Sequence, residues 1–198
     1  MRVVTGTDAS IRCCLFETDL GAVGIAWSER GIARLQLPEA NRAATERRLR
    51  GQSPNVAAAN PATAIKGVIR DLQRYMAGER IDFSTVALDL SGIGDFRQSI
   101  YQAARGVGWG ETATYGALAR QAGAPDAARA VGQAMGRNPV PIIIPCHRVL
   151  ASGRKSGRKI GGFSAFGGAA TKQRLLDLEG IRLGEAAPLL PGLLPGIR

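Results

Sequence analysis

The feature that most constrains the fold is a change in the pattern of apolar residues at Ser91-Gly92-Ile93-Gly94. Before this segment, residues 11–37 form short apolar and β-branched runs separated by Asp19-Leu20-Gly21 and Ser28-Glu29-Arg30-Gly31. Such short runs with turn residues between them are typical of antiparallel strands joined by hairpins. After the segment, the pattern becomes more helical. We therefore predict two units that meet at residues 91–94.

The predicted fold class is an α/β (α+β) N-terminal domain with a small antiparallel sheet, followed by a mostly helical C-terminal domain that contains a helix-turn-helix. The first domain covers residues 1–92 and the second covers residues 93–183. Residues 184–198 are rich in Pro, Gly and Leu without periodicity, which predicts a disordered tail. In the first domain the pattern further predicts a short exposed helix, a mobile linker, a helix that covers the sheet and a strand, at residues 43–50, 51–60, 65–76 and 83–90.

Two short helices, at residues 115–122 and 126–135, form the predicted helix-turn-helix around Gly123-Ala124-Pro125. The second of them carries several alanines around Arg129, so it is slim enough to approach a duplex closely with one long cationic side chain. The alternative is a packed pair of helices that binds nothing. The other helices predicted in this half cover residues 96–105 and 171–179.

Basic residues outnumber acidic ones in this chain. Lys and Arg number 26 against 16 Asp and Glu, which gives a formal net charge of +10. This balance favours a polyanionic partner, with nucleic acid as the leading candidate. The alternative is that a high arginine content only reflects a GC-rich coding bias.

Cysteine usage excludes several classes of site. The adjacent Cys13 and Cys14 and a third cysteine make no disulfide framework, and no Cys/His cluster has the spacing of a zinc site. We therefore predict reduced thiols and no metal. No apolar stretch reaches the roughly 18 residues that a membrane helix needs, and the N-terminus lacks a secretory segment. A cytoplasmic protein without a membrane partner is expected.

The third cysteine, Cys146, directly precedes His147, which is the only histidine of the chain. Asn138-Pro139-Val140-Pro141 is too rigid for a helix, and residues 142–144 are predicted to form a short buried strand that presents the cysteine. A thiol is nucleophilic only as its thiolate, so a reactive cysteine needs a base or a positive environment to lower its pKa from about 8.5. Adjacent residues on a regular strand point to opposite faces, so contact between thiol and imidazole requires a bend or a bridging water.

Glu179 is the candidate carboxylate partner of His147. A histidine that acts as a base usually needs a carboxylate to fix its tautomer. Glu179 shares the inward face of the last predicted helix with Leu175 and Leu176, where an unpaired acid would be costly. The alternative is that Cys146 is a small buried apolar residue and His147 a hydrogen-bonded core residue.

A larger set of motifs favours the reactive interpretation. Tyr115-Gly116, Arg129-Ala130-Val131-Gly132, Asn138-Pro139-Val140-Pro141 and Ile144-Pro145-Cys146-His147-Arg148-Val149 occur in this order. From about residue 96 to residue 180 the chain resembles the O6-alkylguanine-DNA alkyltransferases, and these motifs are highly specific for that family. The first ninety or so residues resemble it only in outline, as the small α/β domain that precedes its catalytic domain.

The resemblance implies direct-reversal DNA repair. The chain would transfer a methyl or other alkyl group from O6-alkylguanine, and from O4-alkylthymine, in double-stranded DNA to its own Cys146 without a cofactor. Because a thioether is not readily hydrolysed, each molecule would act once. The damaged base would be flipped out of the stack to reach the cysteine. The protein would act as a monomer, with cooperative binding of several copies to DNA left open.

The resemblance also implies roles in the substrate pocket. Tyr115 would donate a proton to the departing guanine oxygen, and Ser164 would hydrogen-bond that oxygen in a pocket that includes Phe163. The carbonyl of Val149, with that of the cysteine, would hold the exocyclic amine. Asn138 would brace the turn that carries the active site.

A further group of residues is implied in DNA binding. Arg129 would fill the gap left by the flipped base, while its helix lies in the minor groove through Ala128, Ala130 and Gly132. The segment at residues 154–159 is longer and more basic than the usual connection in the family. We expect it to contact phosphates, with a solvated insertion as the alternative, through Arg154, Lys155, Arg158 and Lys159.

Three other functions explain less of the sequence. Lesion-binding relatives that do not repair replace the acceptor cysteine, whereas Cys146 is present. A transcriptional regulator that uses the helix-turn-helix alone does not require a Cys-His pair after a proline-rich segment. A cysteine hydrolase does not explain the basic charge or the alanine-rich helix around Arg129.

Overall fold

Four strands form the N-terminal sheet in the computed structural model, which describes residues 11–51, 56–152 and 158–183. β1 (Ile11–Thr18), β2 (Gly21–Ser28) and β3 (Gly31–Gln36) form an antiparallel meander with turns where the sequence predicts them. β4 (Val56–Ala58) pairs parallel to β1, in the order β3-β2-β1-β4. The α/β class is as predicted, but the sheet is mixed rather than wholly antiparallel, because the chain crosses over it between β3 and β4.

Two helices accompany this sheet. α1 (Arg42–Arg50) begins after Asn41, whose side-chain oxygen accepts a hydrogen bond of 2.9 Å from the backbone N–H of Ala44. β4 then occupies part of the segment predicted as a linker, so that prediction is wrong for residues 56–58. α2 (Thr63–Met76) begins two residues before its predicted start and buries Leu72, Tyr75 and Met76.

The strand predicted at residues 83–90 is absent. The segment forms turns and a single bridge between Leu88 and Ile32 of β3. Its backbone carbonyls at positions 83, 84 and 86 accept hydrogen bonds from the guanidinium of Arg105 instead of pairing with another strand. The segment also approaches β3 so closely that a Cβ on Gly31 would lie 2.4 Å from the carbonyl oxygen of Ala87.

The C-terminal half is mostly helical, as predicted. Its helices are α3 (Asp95–Arg105), α4 (Tyr115–Gln121), α5 (Ala128–Gly136) and α6 (Ala169–Leu178). α5 begins later than the predicted residue 126, because Ala127 N–H closes a turn onto the carbonyl of Ala124. α4 and α5 pack against each other and against α3.

Three short strands, not predicted from the sequence, lie beside these helices in the order β5-β6-β7. They are β5 (Ala113–Thr114), β6 (Val149–Ser152) and β7 (Arg158–Lys159). β6 and β7 pair antiparallel, so the last two residues of the basic segment, Arg158 and Lys159, belong to a strand. Arg154 and Lys155 lie outside the described residues, as does the predicted tail.

The strand predicted at residues 142–144 is replaced by a turn. Ile142 has a φ of 74°, in the left-handed region, and Ile144 N–H donates a 2.8 Å hydrogen bond to the carbonyl of Val140. A 3₁₀ helix, Cys146–Arg148, follows at once. The prolines at 139, 141 and 145 have no N–H to give to a strand ladder, which is why the apolar run does not extend into a sheet.

One apolar core connects the two halves of the chain. Buried side chains in contact with one another come from β2, α2, α3, α5 and α6, for example Trp27, Leu72, Ile100, Val131 and Leu175. No helix in the described part of the chain is long and apolar enough to cross a membrane.

Candidate active site around Cys146

Cys146 is buried at the start of the 3₁₀ helix, with an exposed fraction of 5%. Its backbone N–H donates to the carbonyl of Ile144 at 2.8 Å. Burial raises the pKa of the thiol, although the side chain of Asn138 and the charge of Lys172 oppose that rise. The resting side chain is therefore a thiol, and its activation requires a group that takes the proton.

His147 follows Cys146 in the chain, is fully buried and faces Glu179. Its Nε2 lies 2.8 Å from Glu179 Oε1. Burial lowers the pKa of His147, with Glu179 opposing and Arg148 adding to that effect. Since an ionised carboxylate only accepts hydrogen bonds, Nε2 of the neutral ring carries the proton. Nδ1 is then an acceptor, and it has no partner among the described residues.

The carboxylate of Glu179 comes directly after α6 and is stabilised in its charged form. Burial alone would raise its pKa, but hydrogen bonds and charge from His147 and Arg148 lower that pKa to about 2. Glu179 is thus an anion at neutral pH, as its predicted role as partner of the histidine requires.

Arg148 and Tyr75 also bind Glu179, and neither was predicted as a site residue. Arg148 Nε donates to Glu179 Oε2 at 2.8 Å, and one terminal nitrogen donates to Oε1 at 2.9 Å. The Tyr75 hydroxyl donates to Oε1 at 2.6 Å. The position of Arg148 next to His147 was a usable signal, whereas Tyr75 had none, because 104 residues separate it from Glu179.

Lys172 is a further buried residue that the sequence argument missed. Its ammonium donates a 2.7 Å hydrogen bond to the backbone carbonyl of Val149, and burial lowers its pKa to about 8. Lys172 shares a helical face with Leu175, Leu176 and Glu179, so the spacing that predicted the glutamate also pointed to the lysine.

Asn138 joins the two ends of the turn before the cysteine. Its side-chain amide donates to the Ile144 carbonyl at 2.7 Å, and its side-chain oxygen accepts from the Val140 N–H at 3.0 Å. These two hydrogen bonds link positions 140 and 144 of the turn, and the bracing role of Asn138 stays a prediction. Asn138 also lines a cavity next to Cys146, together with Phe163 and Ser164.

Tyr115 is the first residue of α4 and is half-buried. Its hydroxyl lies beside Gly161, where an added Cβ would come within 3.4 Å of it. Burial, and secondarily the proximity of Cys146, raises its pKa. The hydroxyl is therefore protonated at neutral pH and able to donate.

The predicted DNA-binding residues on α5 lie in the described part of the chain, whereas Arg154 and Lys155 do not. On α5 the side chain of Arg129 is exposed, with small residues next to it on the helix. Those small residues are Ala128, Ala130 and Gly132, which are half-buried.

Comparison with known proteins relates both halves of the chain to one family. Residues 95–181 match the family model described as 6-O-methylguanine DNA methyltransferase, DNA binding domain, and residues 11–90 match 6-O-methylguanine DNA methyltransferase, ribonuclease-like domain. The chain belongs to the 6-O-methylguanine DNA methyltransferase family.

Relatives in this family come from bacteria and archaea. A methylated-DNA--protein-cysteine methyltransferase of Mycobacterium tuberculosis is 47% identical over 118 residues, which are 59% of this chain and 66% of that relative. A relative of the same description from Methanothermobacter thermautotrophicus is 29% identical over 161 residues, 81% of each chain.

Solved structures of 6-O-methylguanine DNA methyltransferases show the same fold. The structure described as Mycobacterium tuberculosis OGT in complex with DNA has a TM-score of 0.69 at 33% identity and covers 85% of this chain and 93% of its own. The O6-methylguanine-DNA methyltransferase of Pyrococcus kodakaraensis has a TM-score of 0.62 at 28% identity. The match covers 86% of this chain and 99% of that structure's chain.

Proposed function

We propose that this protein repairs alkylated DNA by transferring an alkyl group from O6-alkylguanine to Cys146. The observation that carries the proposal is the buried hydrogen bond between Glu179 and His147, the residue that follows the buried Cys146 in the chain. Glu179 accepts the hydrogen bond from Nε2–H of His147. This leaves Nδ1 as an acceptor on the side of the ring away from the carboxylate. Neither a structural cysteine nor a DNA-binding module requires this arrangement.

In the proposed reaction the thiol proton passes to Nδ1 of His147, through a bridging water. The thiolate then attacks the alkyl carbon, an S–C bond forms, and the C–O bond to the guanine O6 breaks. The electron pair of that bond remains on the base, and Tyr115 donates a proton as the base becomes ordinary guanine. The proton held on His147 then returns through solvent to the Tyr115 phenolate, so that the thiol proton is the one gained by the base overall. The imidazolium formed on His147 is stabilised by the carboxylate of Glu179.

The product explains why we expect a single turnover. The thioether has no good leaving group, so water does not regenerate the thiol, and each protein molecule acts once. We expect O4-alkylthymine to react in the same way, since it also presents an alkyl group on an exocyclic oxygen. Alkyl carbons of either base are beyond reach inside the stacked duplex, so the reaction requires base flipping.

We propose that α5 enters the minor groove and that Arg129 occupies the space left by the flipped base. Support comes from the exposed arginine between small residues, which allow close approach of the helix backbone to DNA. The net charge of +10 favours the same partner. Phosphate contacts by the basic segment remain part of the proposal, through Arg154, Lys155, Arg158 and Lys159.

The proposal is tested with duplex DNA that contains O6-methylguanine radiolabelled in the methyl group. We expect label to move to the protein at about one methyl per chain and then stop. Catalytic release of labelled product would indicate a hydrolase, and binding without transfer would indicate a lesion reader. Cys146→Ala should abolish labelling, while the matched control Cys14→Ala, on β1, should keep it.

A further inference from the structure

Tyr75 links the N-terminal half of the molecule to the candidate active site. It lies on α2, within the segment that matches the ribonuclease-like family model, and its side chain is fully buried. Its hydroxyl donates to Glu179 Oε1 at 2.6 Å and lies 3.2 Å from His147 Nε2. Neither the family resemblance nor the sequence spacing drew attention to this side chain.

The direction of the hydrogen bonds can be worked out from the groups present. Glu179 is an anion that only accepts, and its Oε1 receives the Tyr75 hydroxyl, the Nε2–H of His147 and one Arg148 nitrogen. Tyr75 and His147 are therefore both donors to one oxygen and do not bond to each other. Each donor withdraws negative charge from the carboxylate and so weakens its hold on the other.

We propose that Tyr75 is a positioning residue of the active site, which holds the Glu179 carboxylate in place and limits how strongly that carboxylate attracts a proton to His147. The N-terminal domain thus completes the site that carries the reactive cysteine. The kinetic consequence of this inference rests on the proposed alkyl transfer. The positioning role itself concerns only the tautomer and the pKa of His147, which can be measured without any alkyl transfer.

The proposal can be tested at the imidazole of His147, whose pKa responds first to burial and then to three nearby charged side chains. Glu179 raises the pKa of the imidazole, while Arg148 and Lys172 lower it. The Tyr75 ring makes edge contacts with Phe83 and Trp109, with centroids 5.8 and 5.4 Å apart. Tyr75→Phe keeps these contacts and removes only the hydroxyl.

His147 is the only histidine of the chain, so ¹⁵N-histidine labelling gives a single imidazole to follow by NMR. In the unmodified protein we expect the Nε2–H tautomer near neutral pH. In Tyr75→Phe, the carboxylate has one donor fewer, so the pKa of His147 should rise by about 0.5–1 unit. The matched control is Tyr101→Phe, which removes another buried hydroxyl, one bound only to the carbonyls of Ala134 and Arg137. The control should leave the titration of His147 unchanged.

A second replacement retains the hydroxyl and protects the test against misfolding of Tyr75→Phe. Site-specific 3-fluorotyrosine at position 75 makes the phenol a stronger donor, so it should lower the pKa of His147. If the pKa of His147 is identical in the unmodified protein and in both altered proteins, Tyr75 only packs. The same conclusion follows if both replacements shift that pKa in one direction.

The kinetic arm measures single-turnover methyl transfer against pH. Because a neutral imidazole is needed as the base, the acid limb of the profile should move to higher pH in Tyr75→Phe by the same amount as the NMR titration. The two hypotheses can fail separately. If the two replacements shift the pKa of His147 in opposite directions but the unmodified protein transfers no methyl group, the positioning role stands and the proposed function is rejected. A shifted rate profile with an unshifted NMR titration would overturn the positioning role.

Discussion

At the scale of single residues, the site depends on one buried anion. Glu179 accepts hydrogen bonds from Tyr75, His147 and Arg148, and all four side chains are buried. A carboxylate in such a position is stable only because its donors replace the water that it loses. Removal of its charge therefore affects both the free energy of unfolding and the orientation of His147.

Glu179→Gln should slow single-turnover methyl transfer by about 100-fold, because His147 loses the group that fixes its tautomer and stabilises its charge. The same change leaves the buried charge of Arg148 without its carboxylate partner and should lower the free energy of unfolding by about 3–5 kcal/mol. Quenched-flow labelling and urea denaturation measure the two effects. Asp177→Asn removes an exposed carboxylate two residues earlier and is the matched control. An unchanged transfer rate in Glu179→Gln would remove the glutamate from the mechanism.

Acid should destabilise the protein through the same carboxylate. The pKa of Glu179 is about 2 in the folded protein and about 4.3 in an unfolded chain. A lowered pKa stabilises the fold above the unfolded value, and that contribution, about 3 kcal/mol, is lost as the pH falls from about 4 to 2. Urea denaturation at several pH values should show this loss. In Glu179→Gln the free energy of unfolding should change less between about pH 4 and pH 2. Equal changes in both proteins would contradict the assignment of this acid sensitivity to Glu179.

At the scale of structural elements, a turn and a short helix present the reactive groups. The turn before Cys146 is closed by the two side-chain hydrogen bonds of Asn138 and contains Ile142 in the left-handed region. Helix α5 presents Arg129 on an otherwise slim surface. Asn138 also acts on the Cys146 thiol itself, whereas Arg129 lies exposed on its helix.

Asn138→Ala should lower the free energy of unfolding by about 1–3 kcal/mol, because the Ile144 carbonyl and Val140 N–H lose their partner. The transfer rate should fall as well, since the turn no longer holds Cys146. Asn41→Ala is the matched control. It removes the cap of α1 and should cost about 1 kcal/mol without changing the transfer rate. A normal rate in a destabilised Asn138→Ala protein would show that the turn does not position the thiol.

Arg129→Ala should weaken repair of duplex DNA much more than reaction with free O6-methylguanine base, because the free base is not flipped and leaves no gap. Rates on both substrates measure the ratio. Arg70→Ala, an exposed arginine on α2, controls for the loss of one positive charge. Equal losses on both substrates would contradict the role of Arg129.

At the scale of the whole molecule, the two halves share a core and backbone hydrogen bonds. Leu35 N–H of β3 donates to the carbonyl of Pro139 at 2.9 Å, and Arg105 of α3 binds carbonyls of the segment before it. The proposed boundary near residue 93 therefore separates two sequence units that are joined in one packed structure.

The halves should consequently unfold together. The chain has two tryptophans, with Trp27 on β2 and Trp109 after α3. Trp27→Phe and Trp109→Phe each leave one fluorescent reporter, in the C-terminal and the N-terminal half respectively. In each variant, the urea midpoint from fluorescence should coincide with the midpoint from circular dichroism. Two separated transitions within one variant would show that the halves fold as independent domains.

The sequence by itself determined the local features of this protein. Hairpin turns, helical faces and the motif around Cys146 depend on residues near each other along the chain. Spacing therefore indicated Cys146, His147 and the inward-facing Glu179 as candidates, and the family resemblance favoured their reactive role. The tertiary structure decided which distant groups meet. Prolines flank residues 142–144, where a turn closed by the hydrogen bond from Ile144 to Val140 replaces the predicted strand, and the chain crossover made β4 parallel to β1. Packing of α2 against the second half brought Tyr75 to Glu179, and no local pattern predicts a contact across 104 residues, because it depends on how the elements share one core.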